Sequence, residues 1–192
     1  NNNIADYDLV RKMRASILIL GPLLVRFQKA NISLPGGCAI GTRPIDIHLK
    51  SLSKLGVKFQ IENGFVKASA ENSLIGNDIH LSFPSVGATE NLIMAASLAK
   101  GVTKINNPAK EPEIIDLETC LNAMGANISG SGSNQIIIKG VESLNKAHHT
   151  IMSDRIVAGT FIILAVMLNK KFTVQNFDPK FLISLLNILK KM

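Results

Sequence analysis

Two stretches of this chain share one pattern, 69 residues apart. An apolar-periodic helix ends at Gly56 and again at Gly125, and glycine is a common residue just past a helix end. A short alternating strand follows each glycine, and a turn rich in Gly or Asn then returns the chain as a second strand, which predicts a β-hairpin. A repeat of this kind determines the fold class, because each copy has to bury its apolar surface against the next.

Each hairpin is preceded by another helix and strand. Residues 90–100 predict a helix leading into a strand at 102–107, and residues 157–168 lead in the same way into a strand at 172–176. A looser copy covers residues 11–34, and residues 78–83 predict the strand that opens the second copy. The sequence therefore predicts an α/β fold of repeated βαβαββ units, with parallel crossovers, hairpins and helices packed inside sheets.

The phase of the repeat predicts units that are incomplete at both ends. Residue 1 falls just before a helix, and the helix predicted at 180–192 reaches the last residue without a stop glycine or a hairpin. We therefore expect this chain to be an excerpt of a longer protein or the product of a truncated gene.

Composition narrows the class of protein. With 46% hydrophobic residues the chain can bury a core, yet its uncharged apolar runs at 15–25 and 156–168 fall short of the roughly 20 residues needed to cross a bilayer. No basic-then-apolar leader opens the sequence, and two cysteines favour a reducing cytoplasm over a disulfide framework. Scattered Lys and Arg with one Tyr and no Trp argue against nucleic acid, whereas a net charge of +7 suits small anionic substrates.

Residues 34–46 are the most unusual stretch. Three glycines and two prolines surround the lone Cys38 between a strand and a helix, which predicts a mobile loop that presents a thiol. Composition alone favours neither of two interpretations of Cys38, a reactive thiol or an incidental buried cysteine. Near arginines, the pKa of an accessible thiol falls from about 8.5 toward neutrality, and such a thiol suits general acid–base or nucleophilic chemistry.

Six stretches in order closely resemble the UDP-N-acetylglucosamine 1-carboxyvinyltransferase family, whose members open peptidoglycan synthesis. They are residues 10–16, 34–38, 41–48, 85–91, 111–116 and 154–156. The resemblance covers essentially the whole chain and corresponds to the middle of the family's sequence, somewhat under half of its length.

The resemblance implies an activity and an architecture. The enolpyruvyl group of phosphoenolpyruvate moves to the 3-hydroxyl of UDP-N-acetylglucosamine through a tetrahedral adduct, and phosphate leaves; no cofactor, metal, membrane or nucleic acid is implied. Family members have two domains of three βαβαββ units in an inside-out α/β barrel, and we expect a cytoplasmic monomer at full length. Residues 1–150 would then form most of the first domain, and residues 151–192 would begin a unit of the second.

The resemblance also implies roles for single residues. Cys38 would protonate the phosphoenolpyruvate methylene, form an adduct with that substrate and react with fosfomycin. Arg14 and Arg43 would contact substrate, since a guanidinium fork suits phosphate and carboxylate. The segment Arg43, Pro44, Ile45, Asp46 and Ile47 would hold the UDP-sugar, and Asp46 would accept from the uracil or ribose or serve as a helix N-terminal charge.

A second nucleotide-sugar segment is implied at Phe83, Pro84, Ser85, Val86 and Gly87. Backbone N–H groups at the start of the following helix can meet a diphosphate. A simple capping role for Ser85 is equally open from spacing. Some relatives carry a lysine where Phe83 stands, so a charge contact to the diphosphate is in doubt.

Outside these segments we expect structural roles. His48 and Cys120 are expected to be structural, Cys120 in the core, and Glu111 and Glu113 are expected to make structural or inter-domain contacts. His148 and His149 have no partner at ligand spacing, so a metal site is not expected.

The resemblance implies that several of the family's catalytic segments lie outside these 192 residues, so we expect this piece alone to be inactive. Two alternatives stay open. A shikimate-pathway enolpyruvyl transferase shares the repeated unit, although the Pro-Gly-Gly-Cys loop argues against it. A non-catalytic remnant is favoured by the broken repeat and by Val157, where many relatives carry glutamate.

Overall fold

The structure, a computed structural model, describes residues 4–5, 7–10, 14–34 and 45–191. The chain divides into two compact units, Asn1–His149 and Thr150–Met192. This boundary lies one residue from the boundary expected from the sequence. Assignment of the units to two separate domains of the family stays a prediction.

The first repeat forms a four-stranded sheet with helices. Its strands are β1 (Ile4–Ala5), β2 (Lys29–Ser33), β3 (Lys58–Glu62) and β4 (Phe65–Ser69), and its helices are α1 (Tyr7–Val10), a 3₁₀ helix (Arg14–Ile19), α2 (Leu20–Phe27) and α3 (Asp46–Ser53). The strand order is β1-β2-β4-β3. β1 runs parallel to β2, whereas β4 is antiparallel to both β2 and β3.

The second repeat has the same topology. Its elements are β5 (Asp78–His80), α4 (Val86–Ala96), β6 (Val102–Asn106), α5 (Pro112–Ala123), β7 (Asn127–Ser129) and β8 (Gln135–Lys139). The order β5-β6-β8-β7 and the strand directions match those of the first sheet. The predicted βαβαββ repeat is therefore confirmed for these two units.

Turn geometry explains why the repeat was visible in the sequence. Gly56 and Gly125 follow α3 and α5 with φ of +96° and +98°, a conformation that L side chains rarely adopt. Asn63 and Gly64 have φ of 50° and 77°, the left-handed pair that a two-residue hairpin turn requires. The helix-ending glycines thus mark the same position in both copies.

Three local predictions differ from the structure. The opening strand β1 was missed because two residues carry no alternation pattern, yet it pairs with Asn31 and Ile32. The helix expected over 11–27 contains a 3₁₀ segment before α2. The strand expected at 172–176 is wrong, because no described residue pairs with it and a strand needs a hydrogen-bonded neighbour.

Helix α4 lies at the centre of the first unit. It packs against α2, α3, α5 and the 3₁₀ helix, and its Leu92 and Ile93 are fully buried. The core cluster extends from Val10 to Ile138 and takes alternate residues of both sheets, such as Ile32 of β2 and Ile136 of β8. This burial explains the low charged fraction of the sequence.

The second unit contains α6 (Arg155–Met167), a 3₁₀ turn (Pro179–Leu182) and α7 (Ile183–Leu189). The carboxylate of Asp154 caps α6 by accepting from the N–H groups of Ile156 and Val157 at 2.8 and 3.0 Å. Large apolar side chains on α6, including Phe161 and Met167, are exposed. Among the helices of the described residues, none is both long enough and apolar enough to span a membrane.

Candidate functional site

The described parts of the two segments predicted to bind the nucleotide sugar lie at helix N-termini. Ile45 is the N-cap of α3 and Asp46 is its first residue. Ser85 is the N-cap of α4, which begins at Val86. The unpaired backbone N–H groups and the dipole at such a terminus favour an anion.

A close contact brings these two termini together. A Cβ atom placed on Gly87 would lie 3.0 Å from Cε1 and 3.3 Å from Nε2 of the His48 imidazole. His48 lies in the first turn of α3, and Gly87 lies in the first turn of α4. The absence of a side chain at Gly87 therefore allows the N-terminal ends of the two helices to lie side by side.

Asn91 joins this contact to the 3₁₀ helix. Its Nδ2 donates to the carbonyl of Ile17 at 3.0 Å and lies 2.9 Å from Nδ1 of His48. Its Oδ1 accepts from the N–H of Gly21 at 2.9 Å. Both Asn91 and His48 are buried, as a structural role for His48 requires.

Sequence reasoning missed the role of Asn91, although it lies in one of the resembling stretches. The available signal was an amide in an otherwise apolar helix, since a buried amide needs partners. Through Ile17 and Gly21, Asn91 therefore links α4 to the 3₁₀ helix and to α2.

Ser85 caps α4, as one of the two open interpretations predicted. Its Oγ accepts from the N–H of Ala88 at 3.3 Å, and its carbonyl accepts from the N–H and the hydroxyl of Thr89 at 3.0 and 2.8 Å. The Thr89 hydroxyl oxygen in turn accepts from the N–H of Ala109 at 3.0 Å. These bonds fix the first turn of α4 against the segment that precedes α5.

Phe83 and Pro84 lie on the surface beside this turn. The Phe83 side chain is exposed, and its carbonyl accepts from the N–H of Ser85 at 2.7 Å. Pro84 lines a cavity of about 480 Å³ together with Asn107, Pro108, Lys110 and Glu111. Lys110 thus supplies a cation to the cavity beside Pro84, and its Nζ donates to Oδ1 of Asn134 at 2.6 Å.

Asp46 has an ordinary helix N-terminal environment. Its half-exposed carboxylate accepts from Nζ of Lys50 at 3.0 Å, and this hydrogen bond holds the pKa of Asp46 below its usual value. The carboxylate is ionised at neutral pH and retains an exposed edge. It can therefore act both as a helix N-terminal charge and as an acceptor for a ligand.

Three comparisons with known proteins identify the family. The model of the family described as EPSP synthase (3-phosphoshikimate 1-carboxyvinyltransferase) matches residues 1–192. The chain belongs to this enolpyruvyl transferase family. The family's shared activity is transfer of an enolpyruvyl group, so the resemblance drawn from the sequence is confirmed at this level.

The similar relatives are named UDP-N-acetylglucosamine 1-carboxyvinyltransferase. The protein of Gluconobacter oxydans is 60% identical over 161 residues, 84% of this chain and 38% of its own length. The second such protein of Staphylococcus saprophyticus is 50% identical over 191 residues, 100% of this chain and 45% of its own length. This chain therefore spans less than half the length of these curated relatives.

Solved structures share the fold. The enolpyruvyl transferase NikO of Streptomyces tendae matches with a TM-score of 0.74 at 24% identity, over 88% of this chain and 40% of that chain. An EPSP synthase of Acinetobacter baumannii matches with a TM-score of 0.62 at 22% identity, over 80% of this chain and 34% of that chain. The α/β fold predicted from the repeat is that of the enolpyruvyl transferases.

Several expected site residues of this family member lie outside the described part. Cys38, Arg43 and Pro44 belong to residues 35–44, which connect Leu34 after β2 with Ile45 before α3, and the side chain of Arg14 is also outside it. Leu34 is anchored by its N–H, which donates to the carbonyl of Gly64 at 2.8 Å. The roles of these four residues stay predictions.

The remaining titratable residues occupy other surfaces. Burial, followed by the charges of Glu113 and Glu111, raises the pKa of Glu90. Nε2 of His149 lies 3.1 Å from a carboxylate oxygen of Asp116. Among the described residues, no three His, Cys, Asp or Glu side chains lie close enough together to hold a metal ion.

Cys120 differs from its expected place. It lies in α5, as predicted, but it is half-buried rather than part of the core cluster. The face of α5 that carries Ile114 and Leu121 is the buried one, and Cys120 lies beside that face.

Proposed function

We propose that this chain is part of a UDP-N-acetylglucosamine 1-carboxyvinyltransferase and that its segments 43–47 and 83–87 bind the nucleotide sugar. The complete enzyme transfers the enolpyruvyl group of phosphoenolpyruvate to the 3-hydroxyl of UDP-N-acetylglucosamine and releases phosphate, the first committed step of peptidoglycan synthesis. Relatives of that name at 50–60% identity support this assignment. A cytoplasmic location and a monomeric state at full length stay predictions.

One observation carries the proposal. The two segments that the resemblance assigns to the nucleotide sugar are far apart in the sequence, yet their helices begin side by side at the contact between His48 and Gly87. Two adjacent helix N-termini offer several backbone N–H groups and favourable dipoles to one diphosphate. The exposed edge of Asp46 adds an acceptor for a uracil or ribose group.

The reacting groups include the thiol of Cys38, which belongs to residues 35–44 between β2 and α3. The Cys38 thiol gives its proton to the methylene carbon of phosphoenolpyruvate, while the sugar 3-hydroxyl oxygen bonds to the adjacent carbon and its proton passes to a base of the complete enzyme outside these residues, which yields the tetrahedral adduct. The thiolate then takes a proton back from the methyl group as the bond between carbon and phosphate oxygen breaks, which forms the enol ether and releases phosphate. Arg14 and Arg43 supply guanidinium groups for the phosphate and carboxylate charges.

A shikimate-pathway activity is the second candidate. The description of the matching family model and the EPSP synthase structure favour it. The Pro-Gly-Gly-Cys sequence that ends at Cys38 and the sequences of the two predicted nucleotide-sugar segments favour the UDP-sugar. The acceptor substrate therefore has to be decided by assay.

The deciding experiment measures phosphate release from phosphoenolpyruvate by the complete gene product that contains these residues. We expect release that saturates with UDP-N-acetylglucosamine and no release with shikimate 3-phosphate. Release with shikimate 3-phosphate alone would establish the second candidate, and release with neither acceptor would overturn both.

A labelling experiment tests the role of Cys38. We expect fosfomycin to add one covalent label, detected by mass spectrometry of the peptide that spans residues 34–46. The label should be lost in Cys38→Ser and retained in Cys120→Ser, which is a matched control because Cys120 is the only other cysteine of these 192 residues. Equal labelling of both variants would favour a non-catalytic remnant.

A further inference from the structure

We propose that Asn91, His48 and Gly87 form a positioning junction that sets the spacing between the two nucleotide-sugar segments. Nothing in the resemblance or the comparisons gives Asn91 or His48 such a role. The inference rests on the proposed function, because it concerns the affinity of that same site for UDP-N-acetylglucosamine.

The amide of Asn91 can have only one orientation. Its oxygen faces the N–H of Gly21, which needs an acceptor, and its nitrogen faces the carbonyl of Ile17, which needs a donor. A flipped amide would place two acceptors together at Ile17 and two donors together at Gly21. In this buried place each polar group without a hydrogen-bond partner costs free energy. The carbonyl of Ile17 and the N–H of Gly21 therefore determine the orientation of the Asn91 amide.

This orientation determines the tautomer of His48. The second proton of Asn91 Nδ2 is directed at Nδ1 of His48, 2.9 Å away. Since Nδ2 can only donate, Nδ1 has to accept and carries no proton. The neutral ring therefore holds its proton on Nε2, at the edge that lies against Gly87.

The ring acts as a spacer between α3 and α4. One edge is bonded to Asn91 in the second turn of α4, and the other edge contacts Gly87 in the first turn. His48 is two residues from Asp46, so a shift of the ring moves the start of α3 relative to Ser85 and Gly87. Asn91 and His48 are positioning residues that act through the two segments they hold, and Gly87 belongs to one of those segments.

The first test replaces the amide with a carboxylate of the same shape, in the complete gene product. Asn91→Asp still accepts from Gly21 but cannot donate to Ile17 or His48. We expect the KM for UDP-N-acetylglucosamine to rise at least about tenfold while the KM for phosphoenolpyruvate changes less than about twofold. The matched control is Ser97→Ala, which removes a buried bond to the Ile93 carbonyl further along the same helix and should leave both KM values unchanged.

The second test uses compensation of size. Gly87→Ala adds a methyl group 3.0 Å from His48 Cε1 and should raise the KM for UDP-N-acetylglucosamine. His48→Asn keeps an acceptor for Asn91 but removes the ring edge that meets the methyl group. The double variant should therefore have a lower KM than Gly87→Ala alone. If it does not, the methyl group acts directly on the ligand and the spacer role is wrong.

A third test needs neither activity nor a variant, so it stands even if the variants fold poorly. In the wild-type protein with ¹⁵N-labelled histidine, Nδ1 of His48 should show the chemical shift of an unprotonated ring nitrogen and Nε2 that of a protonated one. The opposite pattern would overturn the inference whatever the kinetics. If wild-type protein does not use UDP-N-acetylglucosamine at all, the proposed function fails, whereas unchanged KM values in Asn91→Asp of an active enzyme refute only the junction.

Discussion

Ser85 and Asp46 occupy the same kind of position, the first residues of a helix, and each has a local task. Ser85 satisfies a backbone N–H of α4, and Asp46 places a carboxylate at the positive end of α3. Both tasks were readable in the sequence, because capping depends on spacing of three or four residues. The partnership of Asn91 with His48, Ile17 and Gly21 was not readable, because it joins residues up to 74 positions apart.

Removal of the α4 cap should lower stability. Ser85→Ala leaves the N–H of Ala88 without its acceptor and should reduce the free energy of unfolding by about 1 kcal/mol, measured by denaturant titration. Ser53→Ala is the control, since its exposed hydroxyl bonds only to the Leu49 carbonyl within α3 and its loss should cost less than about 0.5 kcal/mol. Equal effects of the two substitutions would contradict the capping role.

Glu90 predicts a pH dependence of stability. Burial and the charges of Glu113 and Glu111 raise its pKa in the folded state above the ordinary value of 4.5. The stability that Glu90 contributes is thus present below pH 4.5 and is lost as the pH rises through the raised pKa. Glu90→Gln should therefore unfold with a higher free energy than wild type at pH 7, and the difference should shrink below pH 4.5. A variant less stable than wild type at pH 7 would contradict this sign.

At the scale of elements, the repeat made most of the fold readable. Helix-ending glycines recur with the same backbone conformation, and the two sheets have one strand order. Two local predictions failed, one at β1 and one at residues 172–176. β1 is too short to show alternation, and residues 172–176 have a strand-like sequence but no pairing partner in the described chain.

The two helix-ending glycines provide a direct test of the repeat. Gly56→Ala and Gly125→Ala place a side chain at φ near +97°, and neither Cβ would meet an atom closer than 3.5 Å. Each should therefore lower the free energy of unfolding by about 1–2 kcal/mol through backbone strain alone, and by similar amounts. Asparagine at either position should be less destabilising than alanine, since it tolerates left-handed backbone. A large difference between the two positions would show that the copies are not equivalent.

At the scale of the molecule, the core belongs to one unit. All residues of the core cluster lie between Val10 and Ile138, whereas α6 of the second unit exposes Phe161, Met167 and other apolar side chains. The resemblance predicted a division near residue 150, because residues 151–192 correspond to the start of a unit in the second domain of the family. It could not indicate which apolar surfaces stay exposed, because both units have similarly apolar helices.

This distribution predicts that residues 1–149 fold alone. The shortened chain should unfold cooperatively, with a thermal midpoint within a few degrees of the main transition of the 192-residue chain, and should bind less of a dye specific for exposed apolar surface. Loss of cooperative unfolding would show that the first unit depends on residues 150–192.

The central claim is that the adjacent N-termini of α3 and α4 form one nucleotide-sugar site. Hydrogen–deuterium exchange of the complete gene product, with and without UDP-N-acetylglucosamine, tests it most directly. We predict slower exchange in the peptides that cover residues 45–50 and 83–90 together, and unchanged exchange in the hairpin 127–139. Protection that excludes both helix N-termini, at a concentration of UDP-N-acetylglucosamine that saturates the enzyme, would contradict the claim.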